Sequence, residues 1–263
     1  MRTFIELSKR SFQRFLTYRA ATLAGLLTNL FFGILRAAIY LGLYGVQNEV
    51  KEVSIEGIIT YTGISQAVIA YLSMFGWYDL MDSIYSGEVS SDLLKPIGLF
   101  RLWLARDLGR AAVAFLLRGL LLMVIYSLVF DLTYPSGILQ WLSLAAAIVL
   151  SWLVSFSFRF LINLSAFWSP DSRGIIRLFF VASWFLSGFL MPLRFLPEWV
   201  ERLAYFTPFP QMVNTVVEVY LGVLEGHELA AALLLQAAWA LVLIGASHLV
   251  MSRGLRRLVI LGG

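Results

Sequence analysis

Few residues in this 263-residue chain have the types and spacing that chemistry requires. There is no cysteine, which excludes disulfides, thiolate metal sites and a cysteine nucleophile. The two histidines, His227 and His248, belong to no His-x-x-x-His or Glu-x-x-His pair that would aim ligands from one helical face. Glu225, His227 and Glu228 are of metal-ligating type, but their spacing fits a solvated helix cap better than a ligand set. Ser65 follows Gly63 and Ile64 in an apolar run; with only His248 in another such run, it reads as a packing residue, not a nucleophile. No Gly-x-x-x-x-Gly-Lys-Ser/Thr loop is present, so the chain does not cradle nucleotide in the P-loop manner.

Charges inside apolar runs are functional candidates by default, because hydrocarbon penalises them. Five are of interest: Arg36, Asp79, Asp82, Arg118 and Arg159. Asp79 and Asp82 close the second run, Arg118 lies near the start of the third and Arg159 near the end of the fourth, where long side chains can reach the interface. Only Arg36 sits deep, either lining a pathway or bonding to a neighbouring helix.

One polar stretch, Ser86-Gly87-Glu88-Val89-Ser90-Ser91-Asp92-Leu93-Leu94-Lys95-Pro96-Ile97, separates two long apolar runs. Gly87 can end the preceding helix, Ser90, Ser91 or Asp92 can cap a new one, and Pro96 stops it within about two turns. Glu88 and Asp92 early and Lys95 late suit the dipole of a short helix at a membrane surface. Such a helix is either a docking element or a plain solvated connection.

The elements that must position these residues belong to a membrane. The composition is 60% hydrophobic and only 14% charged, against roughly 45–50% apolar in soluble domains. Six apolar runs, at 22–46, 57–81, 111–130, 138–163, 175–193 and 229–251, are each near the length that crosses a bilayer as a helix. Residues 1–21 interleave Phe4, Ile5, Phe12, Phe15 and Leu16 with Arg2, Lys9, Arg10, Arg14 and Arg19, the pattern of an amphipathic interfacial helix. The basic clusters beside the spans are what the positive-inside rule requires and do not point to nucleic acid.

Lys95, Arg101, Arg106, Arg110, Arg173, Arg177, Arg253, Arg256 and Arg257 fall on the same side as the basic N-terminus. Glu49, Lys51, Glu52 and Glu56, the Asp131–Pro135 turn and an acid-rich fifth connection fall on the other. Both termini, and the 86–97 stretch, are therefore expected in the cytoplasm. Residues 98–108 mix Trp103 with arginines as a second interfacial helix would, so that 82–110 makes a compact cytoplasmic ledge.

The fifth connection, 194–228, is too apolar for an ordinary loop and, with Pro192 just before it and Pro197, Pro208 and Pro210 within it, too broken for a span. It is expected to form two short helices dipping into the outer leaflet. Pro197 would start the first, with Glu198 and Glu201 in its first turn, and Gly222 would end the second.

The order of these features carries a resemblance. A basic interfacial helix and two spans precede Ser86-Gly87-Glu88-Val89 with Asp92-Leu93-Leu94-Lys95-Pro96-Ile97. Further spans then lead to Ser187-Gly188-Phe189-Leu190-Met191-Pro192, Phe195-Leu196-Pro197 and Thr207-Pro208-Phe209. Over nearly its whole length the chain resembles an ABC-2 type transporter permease, of the six-span drug and antibiotic exporter branch whose ATPase is encoded separately. Members often carry another proline where this chain has Asn214-Thr215-Val216-Val217, which bears on the shape of the second outer helix.

The resemblance implies an all-α integral membrane protein of a bacterial cytoplasmic membrane, 1–263 forming a single transmembrane domain. It would have an elbow helix (1–21), a coupling region (82–110) and an outer re-entrant segment (194–228). It implies two P-loop ATPase subunits carrying ATP and Mg, a second permease chain, identical or paralogous, and surrounding lipid, with no catalysis, cofactor or metal on this chain. Gly87, Glu88, Asp92, Leu93, Leu94, Lys95, Pro96 and Ile97 would form the coupling helix, with Glu88, Asp92 and Lys95 as polar contacts and the apolar residues as its footing. Spans one, two and five would line the route, where Arg36, Phe180, Trp184, Phe185 and Ser187 would meet a hydrophobic or amphipathic, and with its aromatic rings a cationic, substrate. Pro192, Phe195, Pro197, Pro208 and Phe209 would close it outside. An ATPase-independent carrier or membrane assembly scaffold is the alternative class, and a co-purifying ATPase separates the two.

Overall fold

The computed structural model describes residues 1–45, 49–50, 53–169 and 171–257. Residue 46 of the first expected span, Lys51 and Glu52 of the first outer loop, and 258–263 of the expected domain lie outside the described residues. The chain is helical, with one two-residue ladder, Glu49–Val50 (β1) against Val53–Ser54 (β2).

The N-terminal helix, Arg2–Thr17 (α1), turns one stripe inward: Phe4, Leu7, Ser8, Ser11, Phe12 and Phe15 are half-buried while the basic residues are exposed. It crosses a later helix, Leu99–Ala114 (α6 below), at Gly109, where a Cβ would strike the backbone of Ser8 and Phe12. Ser11 fastens the crossing by donating to the Arg106 carbonyl. Tyr18 breaks the direction, and Arg19–Tyr44 (α2) comes next.

Ile55–Leu72 (α3) starts where Ser54 accepts from the Gly57 amide at 3.0 Å, with Glu56 in the first turn. Every residue from Ile58 to Leu72 is buried, making α3 the helix the others surround. The run expected at 57–81 is interrupted after Leu72, because Ser73 adopts a left-handed conformation (φ 55°). Two short helices succeed it, Asp79–Tyr85 (α4) and Val89–Leu93 (α5).

Leu99–Ala114 (α6) continues through a π-turn, Phe115–Leu120, into Leu121–Val129 (α7). The separate interfacial helix expected at 98–108 is thus the first part of a continuous 31-residue helix, Leu99–Val129. No proline interrupts the segment, and Arg106, Asp107 and Arg110 find partners inside the fold. Ile138–Asn163 (α8) runs into a 3-10 turn, Leu164–Phe167. Ser172–Leu186 (α9), a 3-10 turn at Leu193–Phe195, Glu198–Tyr205 (α10), Asn214–Leu221 (α11) and Gly226–Leu255 (α12) complete the chain.

Among the described residues four helices are long and apolar enough to cross a membrane: Arg19–Tyr44, Leu99–Val129, Ile138–Phe167 and Gly226–Leu255. The other two expected spans fall on α3, at 18 residues, and α9, at 15. At 1.5 Å per residue these reach only about 27 and 22 Å, short of a hydrocarbon core of about 30 Å.

The core is fastened by a buried ionic cluster. Arg159 on α8, 1% exposed, is no snorkelling end residue: it grips Asp107 of α6 with two hydrogen bonds of 3.2 and 2.9 Å and lies over the Trp77 ring. Arg110 donates to the same carboxylate at 2.8 Å, and Trp152 adds its indole N–H at 2.8 Å. Helix ends leave orphan carbonyls, and this cluster satisfies those of α3. Arg110 caps Tyr71 at 2.8 Å and Ser155 caps Leu72 at 3.1 Å. One turn on, Asn163 accepts from the Met81 amide at 3.1 Å and donates to the Trp77 carbonyl at 2.9 Å, fixing the approach to α4.

Removing one partner of such a pair strands a charge without solvent. Asp107→Ala is therefore expected to lose about 3–5 kcal/mol of stability, read as a large fall in melting temperature of the purified protein in detergent. Asp107→Leu combined with Arg159→Met, which removes both charges, should melt above the single variant; a double variant as unstable as the single would show that packing, not the pairing, sets the loss.

Candidate functional site

The two ends of the bundle carry different chemistry. At one end Tyr85 of α4 donates to the Ser169 carbonyl at 2.7 Å, Arg173 pairs with Asp82 at 3.0 Å, and Arg257 lies over the Trp168 ring. These contacts gather α4, the turn after α8 and the end of α12 beside α1, α5 and the start of α6. Arg173 and Arg257, two of the basic residues expected on one side of the membrane, thus meet at this end. At the other end Gln140 caps the Val219 and Tyr220 carbonyls of α11 at 3.0 and 2.8 Å, and the Thr133 amide meets Thr60 at 3.0 Å.

The 86–97 stretch forms an arm on the basic end. Gly87 (φ +78°) stops α4 as expected, because only a residue without a Cβ takes that backbone freely. The next helix, α5, begins at Val89, ahead of the expected caps at Ser90, Ser91 and Asp92, and lasts a little over one turn. Val89 is buried as its root. Asp92 is 4% exposed and faces inward, where Arg106 of α6 grips it bidentately at 2.8 and 2.9 Å and Lys95 binds it at 2.6 Å. Arg106 is itself stacked on Trp103. The outer surface of the arm presents Glu88, Leu93, Leu94, Lys95 and Pro96, with Ile97 half-buried and Leu94 88% exposed. Between the arm, α1 and α6 lies a cavity of about 750 Å³ lined by Arg10, Arg14, Glu88, Asp92, Lys95 and Arg106 among others.

The expected route residues scatter. Arg36 of α2 donates to Ser65 of α3 at 3.1 Å and to the Phe189 carbonyl, and lies over the Phe189 ring; its Nε and Nη1 are buried without a hydrogen-bond partner. Phe180 is packed into the core between Tyr78 and Phe158, and Ser187 is buried, accepting from the Phe189 amide with its hydroxyl and from Asn214 with its carbonyl. Trp184 is half-buried, its indole holding the Met74 carbonyl at 2.8 Å and its ring beside Phe75. Phe185 points away from the bundle, 58% exposed.

The outer segment has the two short helices its prolines imply. Pro197 precedes α10, with Glu198 and Glu201 in the first turn. Gly222 (φ +70°) ends α11, and the Val223 amide reaches back to the Glu218 carbonyl at 3.0 Å. Pro192 is buried, Phe195 meets Tyr40 of α2 edge-on, and Phe209 is buried against Phe158, while Pro208 is half-buried and Pro197 exposed. Asn214, in the stretch where a proline is common among similar permeases, begins α11 and lies within reach of Tyr205.

Residues 28–262 match the family described as ABC-2 family transporter protein. The chain belongs to that family. No curated protein matches it at a significant level. The match and the apolar helices make this ABC-2 permease a multi-pass membrane protein, a transport component and not an enzyme by family. Among the described residues no group of three or more His, Asp or Glu is placed to hold a metal, Glu225, His227 and Glu228 included.

Two features of the permease escape a reading of the sequence. Asp107 is the one acidic residue between Gly98 and Phe130, flanked by Arg106 and Arg110, so a special role is visible there. Its partner Arg159, 52 residues on, is not. Asp92 has polar neighbours in sequence and so resembles a surface contact; Arg106, which turns it inward, belongs to another helix.

Burial alone would raise the Asp92 carboxyl, but hydrogen bonds and charge from Arg106 and Lys95 prevail and hold it below the ordinary aspartate range. With the folded value depressed, the clasp is complete above the ordinary range and is lost only as pH falls through the lower folded value. Amide protection of residues 89–97, corrected for intrinsic rate, should thus be unchanged between pH 7 and pH 5. Asp92→Asn should lower it about tenfold or more at pH 7, the scale of losing charge-assisted hydrogen bonds; equal protection in the variant would dissociate the arm's order from the clasp.

Proposed function

We propose that this chain is the membrane subunit of an ATP-driven exporter, and that α5 is the coupling helix through which a separate ATPase moves it. Permeases of this family work with an ATPase partner. The observation that carries the assignment is the construction of the 86–97 arm. An exposed Leu93 and Leu94 stand on a one-turn helix whose inner side is locked to α6 by Asp92, Arg106 and Lys95. A solvated connection needs neither an apolar tip nor a buried clasp; a docking foot needs both, the first for burial against a partner and the second to transmit force without yielding. Glu88, Leu93, Leu94 and Ile97 then make the contact, and Asp92 becomes the residue that holds the foot in place.

The remaining assignments extend the same reading. Residues 1–263 act as one transmembrane domain crossing the membrane six times, with α3 and α9 as the two short spans and α1 as the elbow helix. Both termini lie in the cytoplasm of a bacterial cell, in keeping with the basic end formed by α1, α5 and the end of α12. Two such permeases, identical or paralogous, sit on two ATPase subunits that carry the ATP and Mg. The exposed rings of Phe75 and Phe185, with Trp184 beside Phe75, give the end of α9 an aromatic character suited to a hydrophobic or amphipathic substrate, cationic ones included. The segment with α10 and α11 closes the outer side, Phe195 and Phe209 packing it down.

Co-purification tests the coupling assignment: Leu94→Asp together with Glu88→Lys should remove the bound ATPase while the permease keeps its melting temperature. An intact complex would overturn the assignment and favour an ATPase-independent carrier or scaffold. For the substrate face, Phe185→Ala, which disturbs no packing, and Trp184→Ala should change the spectrum of exported compounds in cells, and an identical spectrum in both would remove that face from the route.

A further inference from the structure

Beside the π-turn of Phe115–Leu120, a second cavity of about 340 Å³ opens between the end of α1, the start of α2 and α6. Three guanidinium groups line it, those of Arg14, Arg110 and Arg118, and no carboxylate does. Arg110 is partly committed, to Asp107 and to the Tyr71 carbonyl. Arg14 and Arg118 have no carboxylate partner among the described residues, and the Nε of Arg118 is buried without a hydrogen-bond partner. Arg118 is half-buried, with its Nε shut off from solvent. A π-turn holds one extra residue and rotates the rest of its helix by about 100°, and Arg118 lies within it. Its guanidinium is laid against Gly25, where a Cβ would come within 2.6 Å of Cζ, so a larger residue there would push the end of Arg118 aside.

The remaining lining sets the depth. Phe15, Tyr18, Ala21, Val113 and Ala114 supply apolar walls, and Thr22 and Ser73 add hydroxyls. The cavity lies at the end of α1, the basic helix assigned above as the interfacial elbow, so it sits at headgroup depth under that assignment. Unpaired guanidinium donors match phosphate oxygens in geometry and charge. An apolar wall beside them matches a glycerol backbone and the first carbons of a chain.

We propose that this cavity binds the phosphate of an anionic phospholipid headgroup, which completes the bonding of Arg118 and pins the junction of α1 and α2 to α6. The site goes beyond the coupling assignment; Arg14 and Arg110 also line the cavity beside the arm, while Arg118 lines this one alone. The proposal is tested on the full chain in detergent by native mass spectrometry with phosphatidylglycerol, phosphatidylcholine and inorganic phosphate. Phosphatidylglycerol should bind tightly and survive buffer exchange, with phosphatidylcholine much weaker. Arg14→Gln and Arg118→Gln should each weaken phosphatidylglycerol roughly fivefold, the scale of one cation at a headgroup surface. Arg253→Gln, a basic residue of the same end outside the cavity, should change nothing. Arg14 is exposed on α1, so its variant tests the site even where Arg118→Gln fails to fold. Equal retention of both lipids, or phosphatidylglycerol binding untouched by Arg14→Gln, would overturn the proposal. Millimolar inorganic phosphate displacing the lipid from the wild type but not from Arg14→Gln would assign the site to soluble phosphate and overturn the lipid reading.

Discussion

A buried guanidinium that cannot reach water must be paired, and in this permease that requirement fixes the relation of three helices. Arg159 has no solvent to turn to, and Asp107 answers it from α6 while Arg110 and Trp152 saturate the same carboxylate. Desolvation makes such a cluster a weak source of net stability and a strong source of specificity, because any sliding of α8 along α6 strands a charge. The same groups terminate α3, whose last carbonyls would otherwise be orphaned in an apolar setting. The central helix thus ends at Ser73 with the carbonyls of Tyr71 and Leu72 both satisfied.

Under the coupling assignment this arrangement also decides what moves. Asp92 ties the arm to Arg106, and one residue further along the same helix Asp107 ties α6 to α8. A displacement delivered at Leu94 therefore reaches the start of a continuous helix that extends to Val129. Two successive salt bridges on neighbouring residues, one facing the arm and one facing the core, leave little slack between a docking foot and the bundle. Crossing over this helix, α1 is held against α6 at Gly109 by close backbone approach.

What is legible in the sequence is local. Gly87 and Gly222 announce their turns because their conformation is set by the residue itself, and Pro197 with Glu198 and Glu201 announces a helix start for the same reason. The apolar runs are visible because hydrocarbon imposes length and composition directly. Hidden is whatever depends on a partner far along the chain. Ser73 adopts φ 55° where nothing local demands it, so a run that looks unbroken to residue 81 breaks at 72. Asp92, polar among polar residues, reads as exposed, and only Arg106 turns it inward. Arg159 reads as an end residue because its partner lies on a helix whose apolar run begins only at 111.

The same contrast separates the charges that the fold has used from those it has left open. Arg159, Arg110 and Arg106 are answered by carboxylates of the chain itself. Arg36 is answered only by a hydroxyl, a carbonyl and an aromatic face, all of them neutral. Its bond to the Phe189 carbonyl, with that of Tyr61 to the neighbouring Gly188 carbonyl, hangs the turn that leads into the outer segment from α2 and α3. If that segment closes the route, it cannot swing away without releasing Arg36, a deep cation that no carboxylate among the described residues neutralises.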